Sequence, residues 1–188
     1  LGTASTTWHD PANWCNGIVP DLTTEVTIAN VPNLPVIAAL QGGACRHMVI
    51  EAGASVTNNG TMSIRGNLTG DGTFTNNADA VMYIWGNCEV ATLNASASNN
   101  TVSYNGGAQT LKVTTYQILV IDGSDVKTCS GAPTINSELL MLNDGTINNT
   151  AGTVAYGPSA QLTYACNPRT ATSDEWVSPF TASGGVNI

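Results

Sequence analysis

Short runs of alternating hydrophobic and polar residues recur along the chain, and each run is followed by a turn rich in Gly, Asn or Asp. The alternation is that of β-strands with one buried side, and no amphipathic helical stretch interrupts it. The chain is therefore predicted to be all-β. The predicted strands are Val26–Ile28, Met48–Ile50, Thr61–Ile64, Gly72–Thr75, Ala80–Ile84, Thr101–Tyr104, Thr110–Val113, Ile118–Ile121, Glu138–Leu142, Thr146–Ile147, Thr153–Tyr156 and Leu162–Tyr164.

The length of these strands distinguishes between two all-β architectures. A β-sandwich uses longer strands joined by tight hairpins, whereas most of these runs hold three to five residues. The turns between them often carry a lone hydrophobic residue, such as Ile135 or Ile147. That pattern favours a parallel β-helix, a solenoid in which coils of roughly 20 residues stack their inward side chains into a narrow core.

The two ends of the chain differ from its middle. Residues 1–45 contain two tryptophans and several prolines, which predicts an N-terminal Trp/Pro-rich cap and the first coil of the solenoid. Residues 46–165 carry the regular coil pattern. Residues 166–188 echo the opening segment and are predicted to lead toward a following module.

Composition limits the partners that the chain can bind. Five basic residues against 13 acidic ones give a net charge of −8, which disfavours nucleic acid and anionic membranes. No run of apolar residues is long enough to predict membrane insertion. The same charge argues against polyanionic sugars such as uronates.

The cysteines are spread along the chain with no CxxC pair, which argues against a structural zinc site. Two interpretations stay open: disulfides, which would place the chain outside the cytoplasm, or small buried hydrophobic residues. The five cysteines are Cys15, Cys45, Cys88, Cys129 and Cys166.

Candidate catalytic residues are sparse. His9 with Asp10, and His47, lack an activated nucleophile motif, and a solvent-facing position is the simpler interpretation of His47. No catalytic residue and no cofactor are predicted. Calcium is the remaining metal candidate, at aspartates that mostly lie in turns; these are Asp71, Asp79, Asp122, Asp125 and Asp144.

Aromatic residues offer a second kind of candidate site. Trp85, Tyr83 and Tyr104 could present stacking faces to a glycan along one side of the solenoid. Tyr83 and Trp85 are two residues apart, so both side chains point to the same side of the strand. If that side faces the core, both rings pack there, which is the competing interpretation.

A set of segments along most of the chain carries a resemblance to known proteins: Trp8–Cys15, Val19–Pro20, Val26–Ile28, Pro35–Ile37, Cys45–Ala54, Gly66–Phe74, Tyr104–Leu111 and Leu139–Ile147. These segments resemble repeated modules of large secreted surface proteins of bacteria that use type IX secretion. The resemblance implies a right-handed parallel β-helix in a cell-surface or filamentous adhesin, with Cys15 bridged to Cys45. Among the cysteines that match no pattern of the group, Cys88 and Cys129 are the preferred second pair.

The sequence thus predicts a structural or adhesive repeat module of an extracellular surface protein, not an enzyme. Its expected partners are neighbouring modules of the same or an identical chain and, secondarily, surface glycans. A carbohydrate-binding module is the alternative. A β-helical polysaccharide lyase is disfavoured because its chemistry needs clustered cations, which the scattered basic residues do not supply.

Overall fold

The structure is a computed structural model that describes residues 2, 4–165, 174–175, 177 and 186–187. All strand pairs in this part of the chain are parallel, and the strands wind into a β-solenoid of about seven turns. The predicted all-β parallel β-helix is confirmed. The predicted right hand is the one that nearly all parallel crossover connections adopt. Among the described residues, no helix has the length and hydrophobicity that a membrane crossing requires.

In the described part of the chain, helical structure is confined to two short 3-10 turns near the N-terminus, Pro11–Asn13 and Cys15–Gly17. Nineteen strands make up the rest of the regular structure. They are β1 Glu25–Ile28, β2 Val36–Ile37, β3 Gly42–Cys45, β4 His47–Ile50, β5 Ser55–Asn58, β6 Thr61–Ile64, β7 Leu68–Thr69, β8 Thr73–Asn76, β9 Val81–Ile84, β10 Thr92–Asn94, β11 Thr101–Tyr104, β12 Gln109–Leu111, β13 Thr115–Ile121, β14 Val126–Cys129, β15 Thr134–Met141, β16 Thr146–Asn148, β17 Ala155–Tyr156, β18 Gln161–Tyr164 and β19 Val186–Asn187.

The strands form four sheets. The long sheet contains β3, β6, β9, β11, β13, β15, β18 and β19 in that order, with β17 beside β15. The other sheets are β1-β4-β7, β2-β5-β8-β10 and β12-β14-β16. Every neighbour in the long sheet comes one coil later in the chain. Equivalent positions in successive coils are Gly42, Thr61, Val81, Thr101, Ile118, Glu138 and Gln161.

Alternate residues of each strand point into a single core. In the long sheet, one inward column runs through Met62, Met82 and Val102 and continues through Leu119, Leu139 and Leu162, all buried. A second column contains Ile64, Ile84, Tyr104, Ile121 and Met141, also buried. Burial of these stacked side chains is the main favourable term that holds the coils together.

The core contains a ladder of buried amides at one corner of the early coils. Asn58 donates to the side-chain oxygen of Asn76 at 2.8 Å, and Asn76 donates to the carbonyls of Ala80 and Thr101 at 3.2 and 3.0 Å. Asn100 in turn donates to the Asn76 carbonyl at 2.6 Å. These bonds satisfy carbonyls that turn inward where the chain rounds the corner.

The late coils round the same corner without a turn. In β13 and β15 the strand runs through it, and the pairing register shifts between Tyr116 and Ile118. The coil from Thr101 to Ile118 is correspondingly short at 17 residues, against 20 residues from Val81 to Thr101. The shift is a β-bulge, which bends a strand without ending it.

Trp8 lies against the first coil of the long sheet. Its side chain is fully buried, and Trp14 packs edge-on against it with ring centroids 4.7 Å apart. A Cβ on Gly43 would lie 3.4 Å from the Trp8 ring and 2.9 Å from Ile37. Glycine at this inward position therefore leaves space that the indole shares with the side chains of Ile37 and Met62.

Residues 174–175 contact the last described coils. The Glu175 side chain is fully buried and accepts from the Tyr164 hydroxyl at 2.5 Å, while the Tyr156 hydroxyl donates to the Glu175 carbonyl at 2.8 Å. Burial raises the pKa of Tyr156 above its usual range. β19 then pairs with β18, so the long sheet gains one more strand.

Candidate binding site on the outer face

The structure separates the three aromatic residues predicted to stack on a glycan. Tyr83 and Trp85 lie on the outer face of the long sheet and are half-buried, with ring centroids 6.3 Å apart. Tyr104 is wrong as a glycan contact because its side chain is fully buried. Its hydroxyl lies 3.0 Å from that of Tyr116 and accepts from the Lys112 backbone N–H at 3.1 Å. Burial raises the pKa of both tyrosines well above the usual range.

Two arginines occupy, in the two preceding coils, the position that Trp85 occupies in its own coil. The backbone register places Arg46, Arg65 and Trp85 just after the paired residues Cys45, Ile64 and Ile84. Adjacent strands are about 4.8 Å apart, so the three side chains emerge in a row along the solenoid axis. The Arg65 guanidinium carbon lies 5.7 Å from the centre of the Trp85 ring, a cation–π contact. We call this row, together with His47, the Arg–Trp strip.

A shallow cleft lies beside the arginine end of the strip, lined by Leu22, Thr23, Arg46, His47, Arg65 and Gly66. The His47 ring is fixed there because its Nδ1 accepts from the Asn67 backbone N–H at 3.0 Å. That bond leaves the ring proton on Nε2 when the imidazole is neutral. A Cβ on Gly66 would come within 2.4 Å of the ring, so glycine is required for this packing.

Two acidic side chains belong to the same region. Glu25 forms a 3.7 Å ion pair with Arg46, and both side chains are more than half exposed. The Asp21 carboxylate accepts from the side chain and backbone of Thr23 and from the Thr24 hydroxyl, and these bonds lower its pKa. Arg65 forms no ion pair among the residues that the structure describes.

The sequence reasoning missed the arginine part of the strip. A signal was present: Ile64-Arg65-Gly66-Asn67 and Ile84-Trp85-Gly86-Asn87 share one pattern, which places Arg65 and Trp85 at equivalent positions of successive coils. Asn67 and Asn87 repeat one contact as well. Each side-chain oxygen accepts a backbone N–H of the next coil, from Asn87 at 2.9 Å and from Thr110 at 3.1 Å.

The predicted disulfides are not present. Cys15, Cys45, Cys88 and Cys129 are free thiols, and Cys166 lies outside the described residues. Cys45 points into the core beside Ile64, whereas Cys15 is exposed. Burial raises the pKa of Cys45 and Cys88 to about 12 and that of Cys129 to about 11. The three buried thiols therefore pack as small hydrophobic side chains, the second of the two interpretations above.

The aspartates considered for calcium are dispersed. In the described part of the chain, no three His, Cys, Asp or Glu side chains come together as metal ligands. Asp71, Asp79 and Asp144 are exposed. Asp122 and Asp125 lie near the ammonium group of Lys127, which donates to the Gly106 and Gly107 carbonyls at 2.7 and 2.8 Å. The positive charge near these two aspartates is therefore supplied by the Lys127 side chain.

The remaining predicted candidates make local structural contacts. The His9 Nε2 lies 2.8 Å from the Gly42 carbonyl, where it donates. Asp10 caps the first 3-10 turn through the Ala12 N–H and accepts from the Ser5 hydroxyl at 2.7 Å.

Comparisons with protein-family models, with curated proteins and with solved structures gave no match to this chain. The functional argument therefore depends on the fold and on the outer-face geometry.

Proposed function

We propose that the chain is a structural repeat module of an extracellular surface protein, in which stacked coils provide length and stiffness. The observation that carries this proposal is the continuous parallel ladder of the long sheet, which extends from β3 to β19. Seven turns at about 4.8 Å per coil give roughly 35 Å of rise along the axis. Such a ladder lengthens by adding coils, and each added coil buries the apolar end of the previous one.

The N-terminal contacts support a cap at the first coil. Trp8 fills the space above Gly43, and Trp14 covers one side of Trp8. A solenoid needs such an end because an uncovered terminal coil exposes core side chains and free strand edges.

Tandem copies test the structural role. Proteins with one, two and three copies of residues 1–188 are compared by small-angle X-ray scattering. A stacked array requires the maximum dimension to grow by a constant increment per copy. Copies that move independently on flexible joints would give a broad distribution of dimensions and would contradict the proposal.

The extracellular assignment needs its own test. Antibodies against the chain should label intact source cells, and protease added to those cells should remove the signal. Signal found only after lysis would contradict the assignment while leaving the mechanical role open.

Carbohydrate binding is the second candidate function, favoured by one observation: Tyr83 and Trp85 present partly exposed rings on the outer face. Half-exposed aromatic rings offer apolar faces to sugar rings. A glycan array probed with the native chain and with Trp85→Ala tests this function. Binding that is unchanged in Trp85→Ala would contradict it.

A further inference from the structure

We propose that the Arg–Trp strip binds an acidic saccharide, with a carboxylate or sulfate group held by Arg46, Arg65 and His47 and the adjoining sugar ring lying toward Tyr83 and Trp85. The inference deepens the second function proposed above and rests on it. It is independent of the mechanical role, since the ladder would form whether or not the strip bound a ligand.

The distribution of positive charge is the first argument. The described residues hold four cationic side chains of Lys and Arg: Arg46, Arg65, Lys112 and Lys127. Lys127 is buried and bound to carbonyls. Two of the other three emerge side by side on adjacent rungs, where like charges repel. An anion between the two guanidinium groups would remove that repulsion and accept charge-assisted hydrogen bonds from both.

The fixed histidine is the second argument. The bond from the Asn67 N–H holds the imidazole at the edge of the cleft, and the proton on Nε2 is left as a donor. The absence of a Cβ at Gly66 leaves room for the ring beside the neighbouring coil. The cleft therefore combines two exposed cationic donors with one donor whose position is set by a backbone hydrogen bond.

The shape of the strip favours a saccharide over a small inorganic anion. The cleft is open, and the row continues along the axis to the Trp85 ring and then to Asn105, which donates to Asp122 at 2.8 Å. Beside Tyr83 in the ladder stand Ser63, which is partly exposed, and Ser103, which is buried. The partly exposed rings of Tyr83 and Trp85, with Ser63 beside them, suit a chain of sugar rings, and Asp122 at the far end confines the anionic group to the arginine end.

Net charge does not oppose this proposal as strongly as composition suggests. At physiological ionic strength, charges farther than about 8 Å are largely screened. The local pair of arginines therefore outweighs acidic residues elsewhere, and Glu25 is the acidic neighbour that competes for Arg46.

The test measures the binding of three hexasaccharides by isothermal titration calorimetry. A galacturonate hexamer carries carboxylates, a heparin hexamer carries sulfates as well, and maltohexaose is the neutral control. The native chain should bind at least one acidic hexamer at low salt and lose affinity as salt is added. The two acidic probes then distinguish carboxylate from sulfate as the preferred group.

Charge-matched variants make the result specific. Arg65→Ala should weaken acidic-hexamer binding by about tenfold or more, because it removes a charge-assisted contact. Lys112→Ala removes the same charge elsewhere and should change the affinity by less than about twofold. Glu25→Gln frees Arg46 and should strengthen binding by about twofold, a gain that misfolding cannot mimic.

Three outcomes would overturn the proposal. The first is no binding of either acidic hexamer. The second is an equal loss in Arg65→Ala and Lys112→Ala, which would indicate nonspecific attraction. The third is binding of maltohexaose that depends on Trp85 and not on Arg65; the carbohydrate-binding function would then stand while the acidic specificity would fall.

Discussion

The early coils, from Gly42 to Asn100, and the late coils, from Thr101 to Tyr164, place polar groups in the core in different ways. The early coils repeat one neutral device, the ladder of Asn58, Asn76 and Asn100. The late coils lose the ladder where β13 and β15 run through the corner. Their buried polar side chains are unlike one another and include Gln109 and a charged residue, Lys127.

The difference follows from where inward carbonyls occur. In the early coils they face one corner, and an amide placed once per coil can donate to them while it accepts from its neighbour. The buried donors of the late coils bond to carbonyls of the preceding coil at another corner. Gln109 donates to the carbonyls of Ile84 and Gly86, and Lys127 donates to the carbonyls of Gly106 and Gly107. Regular coils therefore allow the same residue type to donate to inward carbonyls in every coil, whereas irregular coils need a different donor at each position.

Lys127→Met should have the largest effect on stability. The substitution keeps most of the buried side-chain volume of Lys127 but leaves the Gly106 and Gly107 carbonyls without their charged donor. We expect a loss of about 3 kcal/mol in the free energy of unfolding, measured by urea denaturation. Lys112→Met is the matched control and should cost much less. Equal losses of stability in the two variants would show that the bonds from Lys127 to the carbonyls do not stabilise the late coils.

Asn76→Ala should come second, because Asn76 links three partners within the ladder. Its removal takes the acceptor from Asn58 and the donor from the Ala80 and Thr101 carbonyls, for a loss of about 2 kcal/mol. Asn77 is the matched control, since its side chain bonds only to Asn59 on the outer side at 2.7 Å. If Asn77→Ala lost as much unfolding free energy as Asn76→Ala, the buried ladder would contribute no more to stability than an outer-side amide pair.

Asn100→Ala should cost less, about 1 kcal/mol, because the Asn100 side chain makes a single bond, to the Asn76 carbonyl. In the double variant with Asn76→Ala, the combined loss should differ from the sum, since the two residues belong to one network. Strict additivity in denaturation measurements would indicate that the amides act independently.

The smallest effect is a difference in pH dependence. Burial lowers the pKa of Lys127 below its ordinary value of 10.5, so near that pH the folded chain binds fewer protons than the unfolded chain. The Lys127 contribution to stability therefore rises with pH in this window. The deficit of Lys127→Met relative to the native chain should grow between pH 8 and 10, whereas that of Asn76→Ala should stay constant because amides do not titrate. Parallel curves for both variants would show that folding does not lower the pKa of Lys127 and would contradict this prediction.

Sequence patterning predicted much of this fold because the inward positions of regular coils are filled from their own strand. Thr61–Ile64 and Thr101–Tyr104 match their observed strands at both ends. β3 was missed because Gly42 and Gly43 offer no hydrophobic side chain; the space is filled by Trp8 from a distant part of the chain. Local patterning cannot reveal a core position whose side chain comes from elsewhere.

The candidate glycan site was predicted in part. Trp85 and Tyr83 were identified as candidates, but Tyr104 follows the same alternation and points inward, since its strand is paired in register with β9. The arginines were regarded as scattered because residues 46 and 65 are far apart in sequence. One coil of the solenoid separates them, so they become neighbours only once the strands are paired.

The direction of the backbone hydrogen bonds has a mechanical consequence. The bonds that join β6, β9 and β11 run from coil to coil, which is along the long axis of the molecule. Tension applied at the two ends would load them a few at a time and release one coil before the next. A coil of about 20 residues spans at most roughly 70 Å when extended, against about 5 Å of rise when folded. Each rupture would therefore release many times the length that the folded coil occupied, so a solenoid under tension would extend stepwise, coil by coil.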